Sequence, residues 1–270
     1  MSAPRSSVPL RREPPAFRRA RVTAVEPVTP RLTRVTLAGQ ELAGLVVDQP
    51  AASVRLLLPS PGSGLVVPAW NGNEFLLPDG TRPAIRTLTP LRPDAGANSL
   101  DVEIVVHGRG ALSAWLASLG EGDGDGDEVG VSGPGRGYPV DPEAPGFLLA
   151  GDESALPAIG QVLRALPPAK PVRVIAEVAR PDARLDLPLP PGATLDWCDL
   201  PPGAPPGDAL VAAVAAADLP DGTRLWAAGE AAAVQRIRRH VLDERHIPRS
   251  QTWIRGYWKH GRAGDTDGEA

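Results

Sequence analysis

The chain has 270 residues, 42% of them hydrophobic and 22% charged, with a formal net charge of -4. That apolar content supports real cores and excludes a disordered chain, and the acidic balance argues against a nucleic-acid partner, which selects basic surfaces. The length suits two domains of ordinary size built around small-molecule chemistry, and 29 glycines and 32 prolines without a period mean loop-rich connections.

The first 21 residues carry six arginines, but Glu13 interrupts them and no apolar core of a secretory signal is present. Residues 1–16 are therefore expected to form a disordered basic tail. Short runs rich in β-branched residues follow: RARVTAVEPV, RLTRVTLAG, SVRLLLP, EFLLP, AIRTLTP, SLDVEIVVHG and DEVGVSGP. Their length and punctuation by turns predict an antiparallel β-barrel over residues 17–143. Pro59 to Pro83 reads as a Gly- and Pro-rich excursion between hairpins. One helix is expected from Ala111 to Leu119, with Leu112, Trp115, Leu116 and Leu119 on one face.

After about Pro145 the period changes. Strand-like runs alternate with helical ones: GFLLAGD, ESALPAIGQVLRAL, PVRVIAEVA, ATLDWCDL, DALVAAVAAADL, TRLWAAGE, AAAVQRIRRHVLDERH and QTWIRGYW. This pattern predicts an α/β Rossmann-like parallel sheet over residues 144–262, with a short disordered tail at 263–270. Such sheets place ligands beyond the carboxyl ends of their strands. GDES, Gly151 to Ser154, and Gly229-Glu230 occupy those ends. Each pairs a glycine with a polar residue at a helix start, where free N–H groups favour anions, although Gly-Asp turns also arise for steric reasons alone.

Other constellations carry no chemistry. A single cysteine, Cys198, excludes an internal disulfide and any thiolate-ligated cluster. The run GDGDGDE, Gly122 to Glu128, would need a glutamate where Pro134 stands to close a calcium loop, so it reads as solvated. His107, His240, His246 and His260 are scattered, and six helical residues put His240 and His246 about 600° apart. No metal site is expected. No apolar run approaches the roughly 20 residues that span a bilayer, and a soluble, monomeric, cytoplasmic protein is expected. Among six tryptophans, Trp258 is the candidate for a cofactor contact, since it follows a strand and is flanked by Tyr257, Lys259 and His260.

Arg86, in AIRTLTPLRP, puts a fixed cation in the middle of a strand-like run. It reads either as an outward residue of a half-exposed strand or as a cofactor clamp. Five ordered motifs bear on the choice: Arg86-Thr87-Leu88-Thr89; His107-Gly108 with Gly110-Ala111-Leu112-Ser113-Ala114-Trp115; Ala150 to Ile159; Ala227 to Glu230; and Gly256 to Lys259. Together they resemble the siderophore-interacting proteins, FAD-dependent NAD(P)H:ferric-siderophore reductases related to ferredoxin-reductase-type flavoenzymes. The resemblance runs from about Phe17 to Arg262.

The resemblance implies that Arg86 pairs with the FAD pyrophosphate, as suits a permanent planar charge. It implies that Thr87, Leu88 and Thr89 border the flavin ring, with Thr89 near its reactive nitrogens, and that His107, Gly110, Ala111, Leu112 and Ser113 receive the phosphates. Asp152, Ser154, Gly229 and Glu230 would hold NAD(P)H. Tyr257 and Trp258 would lie by the isoalloxazine, with Lys259, one of only two lysines against 26 arginines, supplying charge beside it. Thr89 and Lys259 are thus the expected catalytic residues. A ferric siderophore is the implied substrate, met by a basic rim of Arg255, Lys259, His260 and Arg262. Arg180 is a candidate for the ribose 2′-position, and ferredoxin is an alternative electron donor.

Leu88 stands where the family has a stacking aromatic, a contact worth about 0.5–1.5 kcal/mol, or roughly threefold to tenfold in affinity. Leu91, Ala111 and Leu112 also depart from the pattern. A general flavin reductase with another acceptor, and a binding module with weakened flavin affinity, stay open at this point.

Overall fold

The computed structural model describes residues 13, 15–60, 63–108, 110–119 and 128–261. Residues 1–12 and 14 of the expected tail at 1–16, residues 122–127 of the acidic run, Arg262 and the tail at 263–270 lie outside them.

The first half is one seven-stranded antiparallel sheet: β1 (Phe17–Thr29), β2 (Leu32–Ala38), β3 (Val54–Leu58), β6 (Ala84–Leu88), β7 (Leu91–Asp94), β8 (Ser99–Val105) and β9 (Glu128–Ser132). The strand order is β6-β3-β9-β1-β2-β8-β7. The edge strands β6 and β7 are consecutive in the chain and separated only by Thr89 and Pro90, so the sheet curls into a barrel open along one seam. Val35, Leu37, Val54, Leu56, Leu100, Val102, Ile104, Val129 and Val131 fill the interior. They alternate along their strands, as a half-buried sheet demands. Helix α1 (Gly110–Ser118) closes the interior with buried Trp115, and Leu112, Leu116 and Leu119 pack beside it, which is the face expected from the sequence. The excursion between β3 and β6 contains a small hairpin, β4 (Ala69–Trp70) and β5 (Phe75–Leu76). Its Phe75 is buried against Phe17, with ring centroids 6.2 Å apart.

The second half is a five-stranded parallel sheet ordered β12-β11-β10-β13-β14. Its strands are β10 (Phe147–Gly151), β11 (Val172–Val178), β12 (Thr194–Asp199), β13 (Arg224–Glu230) and β14 (Thr252–Trp258). Helix α2 (Leu156–Ala165) covers one face; α3 (Asp208–Ala216) and α4 (Ala231–Arg239) cover the other. Central β10 is buried at every residue, so its sequence reads as a continuous apolar run. Two details differ from the sequence expectation. Helix α4 ends in a π-turn at His240–Glu244, and His246 takes a left-handed φ of 54°, so the two histidines do not share one helix. Trp258 is the last residue of β14 and does not follow it. No helix among the described residues is long and apolar enough to cross a membrane.

Polar links join the halves. Arg31, in the β1–β2 turn, meets Glu153 at 2.8 Å. Glu153 also accepts from the Ala179 amide at 2.7 Å. From α2, the Gln161 amide donates to the Pro90 carbonyl at 2.6 Å and accepts from the Ala51 amide at 3.0 Å.

Helix α3 depends on another buried carboxylate. Glu177 in β11 accepts from the Gly207 amide at 2.6 Å and the Leu210 amide at 2.9 Å, doing from a distance what an N-cap side chain does locally. Gly207 has a left-handed φ of 86° and faces Ala233 of α4, so a glycine is required there. Burial pushes the Glu177 carboxyl up against the pull of these amides. Glu177→Gln keeps one acceptor and sets an NH2 group against a donor, and should cost about 1–3 kcal/mol of stability. Denaturant unfolding of variant and parent measures this as a shift in midpoint at constant slope.

Candidate functional site

β6 explains the odd arginine. It pairs with β3 in the register Val54↔Leu88, Leu56↔Arg86 and Leu58↔Ala84. All three partners belong to the barrel core, so Ala84, Arg86 and Leu88 share the inward face of an edge strand. Arg86 is therefore not an outward residue. It is half-buried, and its guanidinium donates to the Ile85 carbonyl at 2.6 Å. Thr87 lies on the opposite, exposed face beside Arg55 and is not brought to Arg86. Thr89 is buried just past the strand.

The second motif approaches the same interior. His107 and Gly108 are exposed after β8, Gly108 and Gly110 take φ of 72° and 81°, and nothing lies within 4 Å of where a Cβ would stand on either. Ala111 and Leu112 in the first turn of α1 pack on the core cluster that Leu88 also touches; Ser113 is half-buried in the next position. A permanent cation on the inner strand face and an open helix start thus border one cluster. Free N–H groups and a guanidinium are the donor set that a pyrophosphate takes, so these residues fit FAD.

The other motifs meet at the carboxyl end of the parallel sheet. β10 and β13 are adjacent, and the chain winds away from them in opposite directions, which makes their carboxyl ends the switch point of the sheet. Gly151 ends β10, where a Cβ would come 2.5 Å from that of Ala155 and 3.0 Å from the Ala228 carbonyl. Asp152 follows, 7% exposed. One carboxylate oxygen, Oδ1, accepts from the Ser154 amide at 2.9 Å and its hydroxyl at 2.5 Å. The other, Oδ2, accepts from the Glu230 amide and from the Trp258 indole Nε1, both at 2.8 Å. Gly229, with φ of 150°, leaves room for this: a Cβ there would sit 2.6 Å from Asp152 Oδ2. Burial pushes the Asp152 carboxyl up, with the donors from Ser154, Trp258 and Glu230 pulling the other way. Glu230 caps α4 through the Ala233 amide at 2.8 Å and accepts the His260 amide at 3.1 Å, tying down the segment beyond β14.

Tyr257 packs edge-on against Trp226, with centroids 6.4 Å apart. Of the expected basic rim, Lys259 and His260 are exposed at the end of β14, whereas Arg255 lies over the Trp253 ring at 4.9 Å. Arg180 forms a bidentate pair with Asp182 at 3.1 and 3.0 Å. No group of three or more metal-ligating side chains occurs among the described residues.

A path of hydrogen bonds joins the two clusters. The Val106 amide, next to His107, donates to the Arg31 carbonyl at 2.7 Å; Arg31 pairs with Glu153; and Glu153 adjoins Asp152, which holds Trp258. Gln161 separately grips Pro90, next to Thr89. These bonds tie the barrel turns that follow β1, β6 and β8 to the turn and helix that follow β10. Sequence reasoning missed Arg31, Glu153 and Gln161 as parts of this assembly. Arg31 and Glu153 are 122 residues apart, and no local pattern signals such a partnership.

Two family descriptions match the chain: a siderophore-interacting FAD-binding domain over residues 21–138 and a siderophore-interacting protein domain over residues 144–261. The ferric vibriobactin reductase ViuB of Vibrio cholerae is 30% identical over 241 residues, which cover 87% of this chain and 86% of that protein. The NADPH-dependent ferric-chelate reductase of Escherichia coli is 28% identical over 252 residues, covering 90% and 92%. The crystal structure of a siderophore utilization protein from T. fusca superposes with a TM-score of 0.80 at 36% identity, over 93% of this chain and 96% of its own. With both halves matched, the chain belongs to the siderophore-interacting proteins, and its first half is their FAD-binding domain.

Proposed function

We propose that the chain is a cytoplasmic, monomeric reductase that draws electrons from NAD(P)H and delivers them to Fe(III) held in a siderophore. FAD, when bound, would supply the exchange between a two-electron donor and a one-electron acceptor. The observation that carries this reading is the inward Arg86 on a barrel edge strand whose following turn is bonded, through Pro90 and Gln161, to the helix after the central strand of the parallel sheet. The names of the Vibrio cholerae and Escherichia coli relatives support the acceptor class.

In this reading Arg86 and the first turn of α1 hold the pyrophosphate, Leu88 covers the ring where an aromatic would stack, and Thr89 sets a polar group at its edge. The turn at Ser154 and the Gly229-Glu230 turn admit the dinucleotide beside Trp258. Lys259 offers positive charge to an anionic ferric siderophore, and exposed His260 stands beside it. Reduction releases the metal because hard oxygen ligands hold Fe(II) less tightly than Fe(III), so the protein needs no iron ligands of its own.

The purified protein should be yellow, or become so with added FAD, and should bleach under argon with NADH or NADPH. A ferric siderophore and an Fe(II)-trapping chelator should then restore the colour while Fe(II) is captured. A protein that stays colourless after reconstitution overturns the proposal, and bleaching without Fe(II) capture moves the acceptor to another class. Arg86→Met removes a charge-assisted contact and should weaken FAD binding by about tenfold to a hundredfold, at roughly 1.5–3 kcal/mol. Leu88→Tyr restores a stacking surface and should tighten FAD by about threefold to tenfold. Titration of apoprotein against flavin fluorescence measures both.

A further inference from the structure

The resemblance casts Asp152 as a nucleotide ligand, but its hydrogen bonds point elsewhere. A carboxylate has about four acceptor sites, and the Asp152 oxygens already receive four donors from within the chain: the Ser154 amide and hydroxyl, the Glu230 amide and the Trp258 indole. No acceptor capacity remains for a ribose or a carboxamide. One of those donors is different in kind. Trp258 is the last residue of the edge strand β14 and remains 38% exposed, so its ring lies at the mouth of the site with its N–H directed inward. The register of β14 on β13 shifts between Gly229 and Glu230, at the point where Trp258 comes opposite Glu230. The Glu230 carboxylate holds the His260 amide, two residues beyond Trp258.

We propose that Asp152 is a positioning residue: it acts through Trp258, fixing the indole at the mouth of the site, and does not itself bind the dinucleotide. This rests on the flavin-reductase reading for what the ring borders, but the link from Asp152 to Trp258 can be tested without flavin. An Asn at 152 can turn its carbonyl toward Glu230 and Trp258 and its NH2 toward the Ser154 hydroxyl, which can rotate to accept, while the Ser154 amide loses its acceptor. Asn should therefore cost stability at the Ser154 turn but rescue the link to Trp258 that Ala loses.

Two measurements test this. In a 15N-labelled protein free of flavin, the indole signal absent from Trp258→Phe identifies Trp258. Its hydrogen exchange should be slow in the parent and in Asp152→Asn, and at least about tenfold faster in Asp152→Ala, as for a group that loses a buried partner. Unchanged exchange in Asp152→Ala overturns the link. In the flavin-loaded protein, Asp152→Ala should slow reduction by NAD(P)H by about tenfold to a hundredfold, as a small displacement of a positioned group does, with half-saturation unchanged. The Asp152→Ala, Trp258→Phe double variant should be no slower than Asp152→Ala alone, because the two act as one unit. A rise in half-saturation at constant rate, or effects that multiply, overturns the proposal. If Asp152→Ala does not fold, Asp152→Asn carries the test, and fast indole exchange in that variant refutes it.

Discussion

A single buried carboxylate holds the working end of the second domain together. Asp152 receives donors from its own turn, from the end of β13 and from the end of β14, so three stretches of chain converge on two oxygens. Burial disfavours the ionised form of such a group, and the converging donors offset that cost. Removing any one of them would leave the charge less compensated. The small residues around it follow from the same constraint. Gly151 and Gly229 stand where a Cβ would collide with a neighbour or with the carboxylate itself.

The contact between the halves includes a polar component with a consequence for chemistry. An interface built on apolar area alone tolerates sliding, whereas a charge-assisted hydrogen bond shared between two carboxylate oxygens and a doubly bonded amide restrict the geometry. Arg31 with Glu153, and Gln161 with Pro90 and Ala51, are of the second kind. Both links emerge from the turn and helix that follow Asp152. The strand end that carries Thr89 and the sheet end that carries Trp258 are thus referred to one rigid segment. Under the proposed function, hydride passing between two bound molecules would need their reacting atoms held near contact, and a fixed reference between the halves would serve that.

Much of the architecture was legible in the residues. Alternation in RLTRVTLAG and SLDVEIVVHG gave β2 and β8 because one face of each is buried and the other is not. The unbroken apolar run in GFLLAGD gave the central β10 because both its faces are covered. The run EFLLP predicts the strand at Phe75–Leu76, but its partner Ala69–Trp70 is not legible, since a two-residue strand carries no period. The π-turn after α4 was invisible for a related reason: HVLDE continues the helical pattern, and only the geometry of packing widens the turn. The placement of Arg86 needed both levels. The sequence posed the choice between an outward residue and a clamp, and the register with Val54, Leu56 and Leu58 removed the outward reading.

The sequence by itself determined the two halves, the order of the motifs and the residue types able to hold a pyrophosphate and a dinucleotide. Those properties are local: periodicity, turn chemistry and the charge of one side chain are written within a few residues. The tertiary structure decided which residues remain available. Asp152, a plausible ligand in the linear motif, has its acceptor sites filled by donors from up to 106 residues away. Thr87 faces away from Arg86, and Arg31, Glu153 and Gln161 gain their roles from partners that no spacing rule connects. Hydrogen-bond capacity is finite and is spent in three dimensions, so a motif states what a side chain can do and the fold states what it is already doing.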